Sequence, residues 1–273
     1  MKTYKSILII LVFTMLAGCA TSPTGRSQLM LVSEESAINS SKEAYVKMMQ
    51  PLASDGKVDN DPAVTKRIVD ITERLVAQAI IIRPETAKWD WQVKVIDDPK
   101  VVNAWCMAGG KMAVYTGLIN QLKATDDELA QVMGHEISHA LANHQAEKMS
   151  VSILAAIGVV AVGVAVDDHR GLAMSGAALA ASLAINKPNS RTAESEADEI
   201  GIELAAKAGY NPNAALSLWK KMAEVSGEGP PQFLSTHPAP ANRSKALAKL
   251  IPDMMPYYQP AQKTPPPIYK LKK

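Results

Sequence analysis

The five residues His135-Glu136-Ile137-Ser138-His139 constrain this chain more than any other segment, because their pattern belongs on a helix. Residues four apart on a helix share a face, so the two imidazoles point one way and Glu136 stands beside them. The flanking sequence predicts such a helix. Thr125 is a capping residue, Glu128 occupies the third position of a capping box, and helical spacing continues to about Lys148. Two neutral imidazoles on one face suit zinc, one ion per chain, provided that a further ligand joins them. His144 follows with no glycine to turn the chain and reads as a helix-end residue, while His169 lies in a charged linker and reads as solvated. Carboxylates come from a predicted helix running from Asn189 to Ala208 and stopped at Gly209. Helix geometry puts Glu194 and Asp198 nearly in line and rotates Glu196 by about 200°, so Glu196 is expected to face away and its loss to be nearly silent. The residues alone leave Glu194 and Asp198 open between a ligand face and a solvated acidic face.

The rest of the chain reads as an α+β, mostly helical fold with a small sheet beside the motif helix. Ser33 with Glu34 and Glu35 starts a helix to about Met49, and Asp61-Pro62 starts another through about Ile81. Trp91, Val93 and Val95 alternate as in a strand, and Val101 to Trp105 and Lys111 to Tyr115 flank Gly109-Gly110 as two more. Asn211-Pro212 opens a helix through about Val225, a last helix spans about Pro240 to Leu250, and the proline-rich tail from Pro252 is expected to be extended or loosely packed. Two apolar stretches, Val151 to Val166 and Gly171 to Ile185, fall short of the ~20 residues a spanning helix needs. They read as an interior helical hairpin or as one that touches a membrane. An apolar content of 47% supports a real core. The 29 basic and 27 acidic residues nearly cancel, so no net charge steers the chain to nucleic acid.

The motif helix followed by Ser190-Arg191-Thr192-Ala193-Glu194-Ser195-Glu196-Ala197-Asp198 resembles the HtpX/LoiP/BepA-like gluzincin zinc endopeptidases of metallopeptidase family forty-eight, which include the CAAX prenyl-protein endopeptidases and bacterial periplasmic lipoproteins. The likeness runs from about Asp61 to Leu250. It implies a zincin-like metallopeptidase domain in which Glu194 joins His135 and His139 as third ligand, and Asp198 orients a ligating histidine. Asn103-Ala104-Trp105, before Gly109-Gly110 and Tyr115-Thr116-Gly117-Leu118, is similar to the family's edge strand over the cleft, which implies a substrate-binding role. Ala108 stands where the family often has proline. Thr236-His237-Pro238 with Arg243 resembles the family's H-P…R element. The implied mechanism has Glu136 as general base for a zinc-activated water, with His237 and Arg243 stabilising the oxyanion. The implied function is a zinc endopeptidase acting on unfolded or misassembled envelope proteins. The alternative is a lipoprotein chaperone or outer-membrane assembly factor with latent protease activity, whose role would survive replacement of Glu136.

At the N-terminus, Lys2 and Lys5 precede the apolar run Ile7 to Met15, and Leu16-Ala17-Gly18-Cys19 resembles the lipobox of bacterial lipoproteins. The expected organisation is a signal peptide over 1–18, a lipid anchor on Cys19 and tether over 19–32, the metallopeptidase domain over 33–251 with its apolar hairpin at 151–185, and the tail over 252–273. The expected location is the bacterial outer membrane, lipid-anchored and facing the periplasm. Expected partners are unfolded polypeptides, that membrane, and an envelope chaperone or protease. Cys106 is left as a small packed residue with no disulfide partner.

Overall fold

The computed structural model describes residues 19–165, 187–225, 231–237 and 242–272. The second apolar stretch and His169 lie outside them, so the hairpin expectation reaches only to its first helix. Two short strands, β1 (Cys19–Thr21) and β2 (Ser27–Leu29), form an antiparallel hairpin. Helices α1 (Glu34–Ser54) and α2 (Pro62–Ile82) follow. A three-stranded sheet comes next, built from β3 (Gln92–Ile96), β4 (Ala104–Met107) and β5 (Lys111–Tyr115). The remaining helices are α3 (Thr116–Gln121), α4 (Asp126–Leu141), α5 (His144–Ala165), α6 (Lys187–Lys207), α7 (Ala214–Glu224), α8 (Gln232–Thr236) and α9 (Arg243–Lys263). The fold is α+β and mostly helical. In the sheet, β5 is central, parallel to β3 and antiparallel to β4, which leaves β4 at an edge.

Local chemistry explains the helix starts. Ser33 accepts a hydrogen bond from Ser36 N at 3.1 Å, and Asp61 accepts from Ala63 N and Val64 N at 2.9 and 3.1 Å. The capping box at Thr125 and Glu128 is formed in both directions. Along α4, Leu129, Met133, Ile137 and Leu141 recur every four residues and are buried, facing Ile68 and Leu75 of α2 and Met112 and Val114 of β5. That face is the core, and the opposite side of α4 is left for His135 and His139.

Three expectations need correction. The motif helix stops at Leu141, short of Lys148, because Asn143 turns the chain with a left-handed φ of 54°. The freed carbonyls find donors from distant segments: Leu141 O accepts from Arg83 Nη1 at 2.8 Å and Ala142 O from Gln28 Nε2 at 2.7 Å. His144 therefore opens the next helix and does not end the first. The 19–32 segment, expected as a tether, is a packed hairpin whose turn is closed by Ser22 N to Arg26 O at 2.8 Å. The tail is helical to Lys263 despite Pro252, Pro256 and Pro260. Those prolines are spaced by four, so their missing donors and unbonded acceptors fall along one stripe. All three are exposed, and water can serve the acceptors. Beyond α9 the chain lies against the core, with Tyr269 N donating to Glu73 O at 3.0 Å.

The α4–α6 crossing positions the site. A Cβ on Gly134 would meet Gly201 O at 2.7 Å, and one on Gly201 would meet His135 N at 2.8 Å. The obstacles are backbone atoms, which cannot rotate aside. Gly201→Ala is therefore expected to destabilise the fold by about 1 to 3 kcal/mol through overpacking, read as a lower urea midpoint at unchanged slope. A variant as stable as the parent would mean that the two helices separate without penalty.

Candidate active site

Helix α4 supplies His135, Glu136 and His139, and α6 supplies Glu194 and Asp198. His237 follows α8, and Arg243 opens α9. One ligand atom from each of His135, His139, Glu194 and His237 lies within 4.8 Å of all the others, a group able to hold a metal ion. His135 Nε2 is 3.1 Å from His139 Nε2 and 3.3 Å from His237 Nδ1. Glu194 Oε1 is 3.1 Å from His237 Nδ1 and 3.4 Å from His139 Nε2, while Glu194 Oε2 is 3.3 Å from His135 Nε2. His135, Glu136 and Glu194 are buried, and His139 and His237 are partly open. The opening therefore lies on the side of those two rings.

The charges respond to this crowding. Burial opposes protonation of His135, but the carboxylates of Asp198 and Glu194 overcome it and lift the ring's pKa to about 9. Burial, reinforced by His135 and His144, pushes His139 well below the usual imidazole range. Glu194 is also penalised by burial, yet contacts from His135 and His237 hold it well below the ordinary carboxylate range. Glu136 is pushed up, chiefly by burial and against the pull of His237 and His135. Its Oε1 makes no hydrogen bond and lies 3.4 Å from His237 Nε2.

Asp198 Oδ1 is 3.0 Å from His135 Nδ1. A carboxylate can only accept, which keeps a proton on Nδ1, so that a metal displacing the ring's other proton would meet the Nε2 lone pair turned toward the group. Arg243 bonds the same oxygen of Asp198, lies with Nη1 3.7 Å from Glu194 Oε2, and stacks on Trp219 at 3.4 Å. The resemblance implied an oxyanion role for Arg243. The structure instead puts it among the carboxylates of α6, where it is buried. His237, given the same role, stands in the ligand group with its ring stacked on Phe233 at 4.5 Å.

The edge-strand residues divide. Asn103 is buried, its carbonyl accepting from Tyr115 N at 3.1 Å and its side chain from Ala104 N at 3.0 Å. Ala104 faces the core, and Trp105 meets Tyr45 of α1 edge-on at 6.0 Å. Strand β4 packs against α4. Its outer edge has no neighbouring strand among the described residues, and the Trp105 ring is directed at Tyr45.

Sequence reasoning missed a second buried cluster. His144 Nδ1 is 2.8 Å from His139 Nδ1, and His144 Nε2 is 3.0 Å from Glu196 Oε2. Glu196 does turn away from Glu194, but it is buried and not solvated, bound by Arg26 Nε at 2.7 Å and Thr24 Oγ1 at 2.5 Å. The available signal was Asn143, a residue that accepts left-handed geometry and lets the chain turn without glycine.

Arg243→Ala leaves Glu194 and Asp198 without their shared cation. It is expected to destabilise the fold by about 3 to 5 kcal/mol, measured by urea unfolding. Arg243→Lys is expected to recover only part of this, since an ammonium lacks the planar face that lies on Trp219.

The profile of peptidase family M48 matches residues 62–251. Metalloendopeptidase OMA1, mitochondrial, of Bos taurus is 32% identical over 273 residues, covering 93% of this chain and 50% of that protein. Mitochondrial metalloendopeptidase OMA1 of Arabidopsis thaliana is 40% identical over 159 residues, 58% of this chain and 31% of its own length. A putative beta-barrel assembly-enhancing protease of Vibrio cholerae is 31% identical over 210 residues, 74% and 41% of the two chains. The chain thus spans half or less of these relatives' lengths. The comparisons correct the location expected from the Cys19 motif. Several of the most similar relatives are mitochondrial proteases and not bacterial outer-membrane lipoproteins, so a lipid-anchored place facing the periplasm does not stand. No helix among the described residues is long and apolar enough to cross a membrane. With its profile match covering well over half the sequence, and with the motif helix and the Glu194 helix crossing at Gly134 and Gly201, the chain belongs to peptidase family M48, on a zincin-like α+β scaffold.

Proposed function

We propose that this chain is a zinc-dependent endopeptidase that cleaves unfolded or misassembled proteins. One observation carries the reading. Two imidazole nitrogens, of His135 and His139, and the Glu194 carboxylate converge at separations of 3.1 to 3.4 Å, beside a buried Glu136 oxygen that makes no hydrogen bond. Donors bonded tetrahedrally to zinc at about 2.0 to 2.1 Å stand about 3.3 Å apart, so the donor set fits that ion in type and spacing.

Zinc, when bound, supplies Lewis acidity that polarises water and a peptide carbonyl. The chain's own residues do the rest. Asp198 holds His135 in the tautomer that directs Nε2 inward. Glu136, whose proton affinity is raised by burial, accepts a proton from water and returns it to the leaving amine. His237 is assigned to the substrate oxygen during turnover. Its ring is held by stacking on Phe233 and contact with Glu194, and it lies on the open side. Strand β4 has a neighbour on one side only, so an extended chain can add along its free edge. Main-chain pairing asks little of sequence, which favours unfolded protein as the substrate class and a quality-control role.

The deciding experiment measures zinc content together with cleavage of a denatured, fluorophore-labelled protein. Glu136→Gln is expected to keep its metal and to lose about 10²- to 10⁴-fold in activity. Glu194→Ala is expected to lose tight metal binding, and Asp198→Ala to weaken metal affinity or activity by about 10- to 100-fold. Full activity in Glu136→Gln would sink the mechanism, and full zinc in Glu194→Ala would remove that ligand.

A further inference from the structure

We propose that the N-terminal hairpin completes the metal centre through a chain of contacts running Arg26, Glu196, His144, His139, in which His144 and Glu196 are positioning residues that set the tautomer and ring angle of His139. The proposal rests on the reading of His139 as a metal ligand.

The proton order along the chain follows from donor chemistry. Glu196 accepts from Arg26 Nε at 2.7 Å and from Thr24 Oγ1 at 2.5 Å, and as a carboxylate it can only accept. A proton on His144 Nε2 faces Glu196 Oε2 at 3.0 Å, and in the neutral ring, the form the proposal assigns to His144, this leaves Nδ1 as an acceptor. The only hydrogen for the 2.8 Å contact between the two Nδ1 atoms is then carried by His139. Its Nε2 is left with a free lone pair, directed at the group shared with His135, His237 and Glu194. Asp198 does the same for His135 directly. Each ligand histidine of α4 thus has its tautomer fixed by a carboxylate of α6, one in direct contact and one through His144.

The hairpin belongs to this arrangement because of what holds it. Arg26 spans two helices, bonding Glu196 of α6 through Nε and both oxygens of Glu147 of α5 through its terminal nitrogens at 2.7 Å each. Gln28 adds Glu147 at 2.9 Å and the Ala142 carbonyl at 2.7 Å, the carbonyl freed where α4 stops. His144, Glu147 and Glu196 are all buried. Two buried carboxylates from different helices need a shared cation, and the hairpin supplies it. No hairpin residue from 19 to 29 belongs to the apolar clusters among the described residues, so the hairpin's hold is polar and centred on the residues that lead to His139.

The test titrates zinc into the purified full chain against a chromophoric chelator, with urea unfolding and a long-range ¹H–¹⁵N histidine spectrum recorded on each variant. His144→Ala and Glu196→Gln are expected to weaken zinc binding by about 10- to 100-fold, the range for loss of a residue that orients a ligand. Arg26→Ala is expected to act in the same direction and more weakly. His144→Gln, which can accept from one neighbour and donate to the other, is expected to bind zinc more tightly than His144→Ala. In the parent, the His139 proton is expected on Nδ1, and it is expected to redistribute in Glu196→Gln. The double variant His144→Ala/Glu196→Gln is expected to be no worse than His144→Ala, because the two act in series. Variants that lose stability while their folded fraction keeps parental zinc affinity and the parental His139 tautomer would overturn the proposal and leave the cluster a structural tie. His139→Ala separates the two readings. Parental zinc affinity in that variant would remove His139 from the ligand set, whereas loss of zinc there together with parental affinity in His144→Ala and Glu196→Gln would overturn the relay alone.

Discussion

Two glycines facing each other across a helix crossing govern the rest of this molecule. Gly134 and Gly201 let the backbones of α4 and α6 meet without side chains between them. His135 follows Gly134 immediately, and Glu194 lies seven residues before Gly201, about two helical turns. The separation of His135 and His139 from Glu194 is thus inherited from the closest approach of two rigid rods, and no loop has to hold it. A Cβ at either glycine would push the rods apart, and the converging donors, spaced at 3.1 to 3.4 Å, have no slack to absorb that.

The crossing also concentrates charge, and the fold answers with fixed partners and little solvent. Glu194 and Asp198 share Arg243, which is buried and lies flat on Trp219. Glu147 and Glu196 share Arg26 on the far side of His139. The two arginines come from opposite ends of the described chain, one from the hairpin before α1 and one from the start of α9. Helix α6 of the crossing is therefore clamped by segments that close onto it from outside, and the low dielectric inside makes each clamp costly to remove.

What could be read from the sequence followed the range of the forces involved. The motif helix was legible because its cap, its apolar stripe and its paired histidines all lie within about twenty residues, and the sheet because alternation is local. The pairing of Glu194 with Asp198 on one side and the rotation of Glu196 away from them were also legible, since a helix fixes them. What escaped reading depends on distant partners. Asn143 can end α4 because Arg83 and Gln28 take the freed carbonyls, and Glu196 is buried because Arg26, 170 residues earlier, reaches it. The tail was misread for a related reason. Proline weakens a helix by what it leaves unbonded, and whether that matters depends on which side faces water, a property of the packed molecule. For α9 the answer lay in Leu247 and Met254, whose burial turns the proline stripe outward.

Strand β4 has a neighbour on one side only, and an open edge recognises backbone without asking whose it is. On the proposed reading, an unfolded copy of this chain is as good a guest as any other extended polypeptide. Folded molecules would then consume unfolded siblings, so the population polices its own folding. A destabilising substitution would show first as lost protein and only later as lost activity per molecule, and losses would grow with concentration as a second-order process. Stability, for such an enzyme, becomes a condition of not being its own substrate.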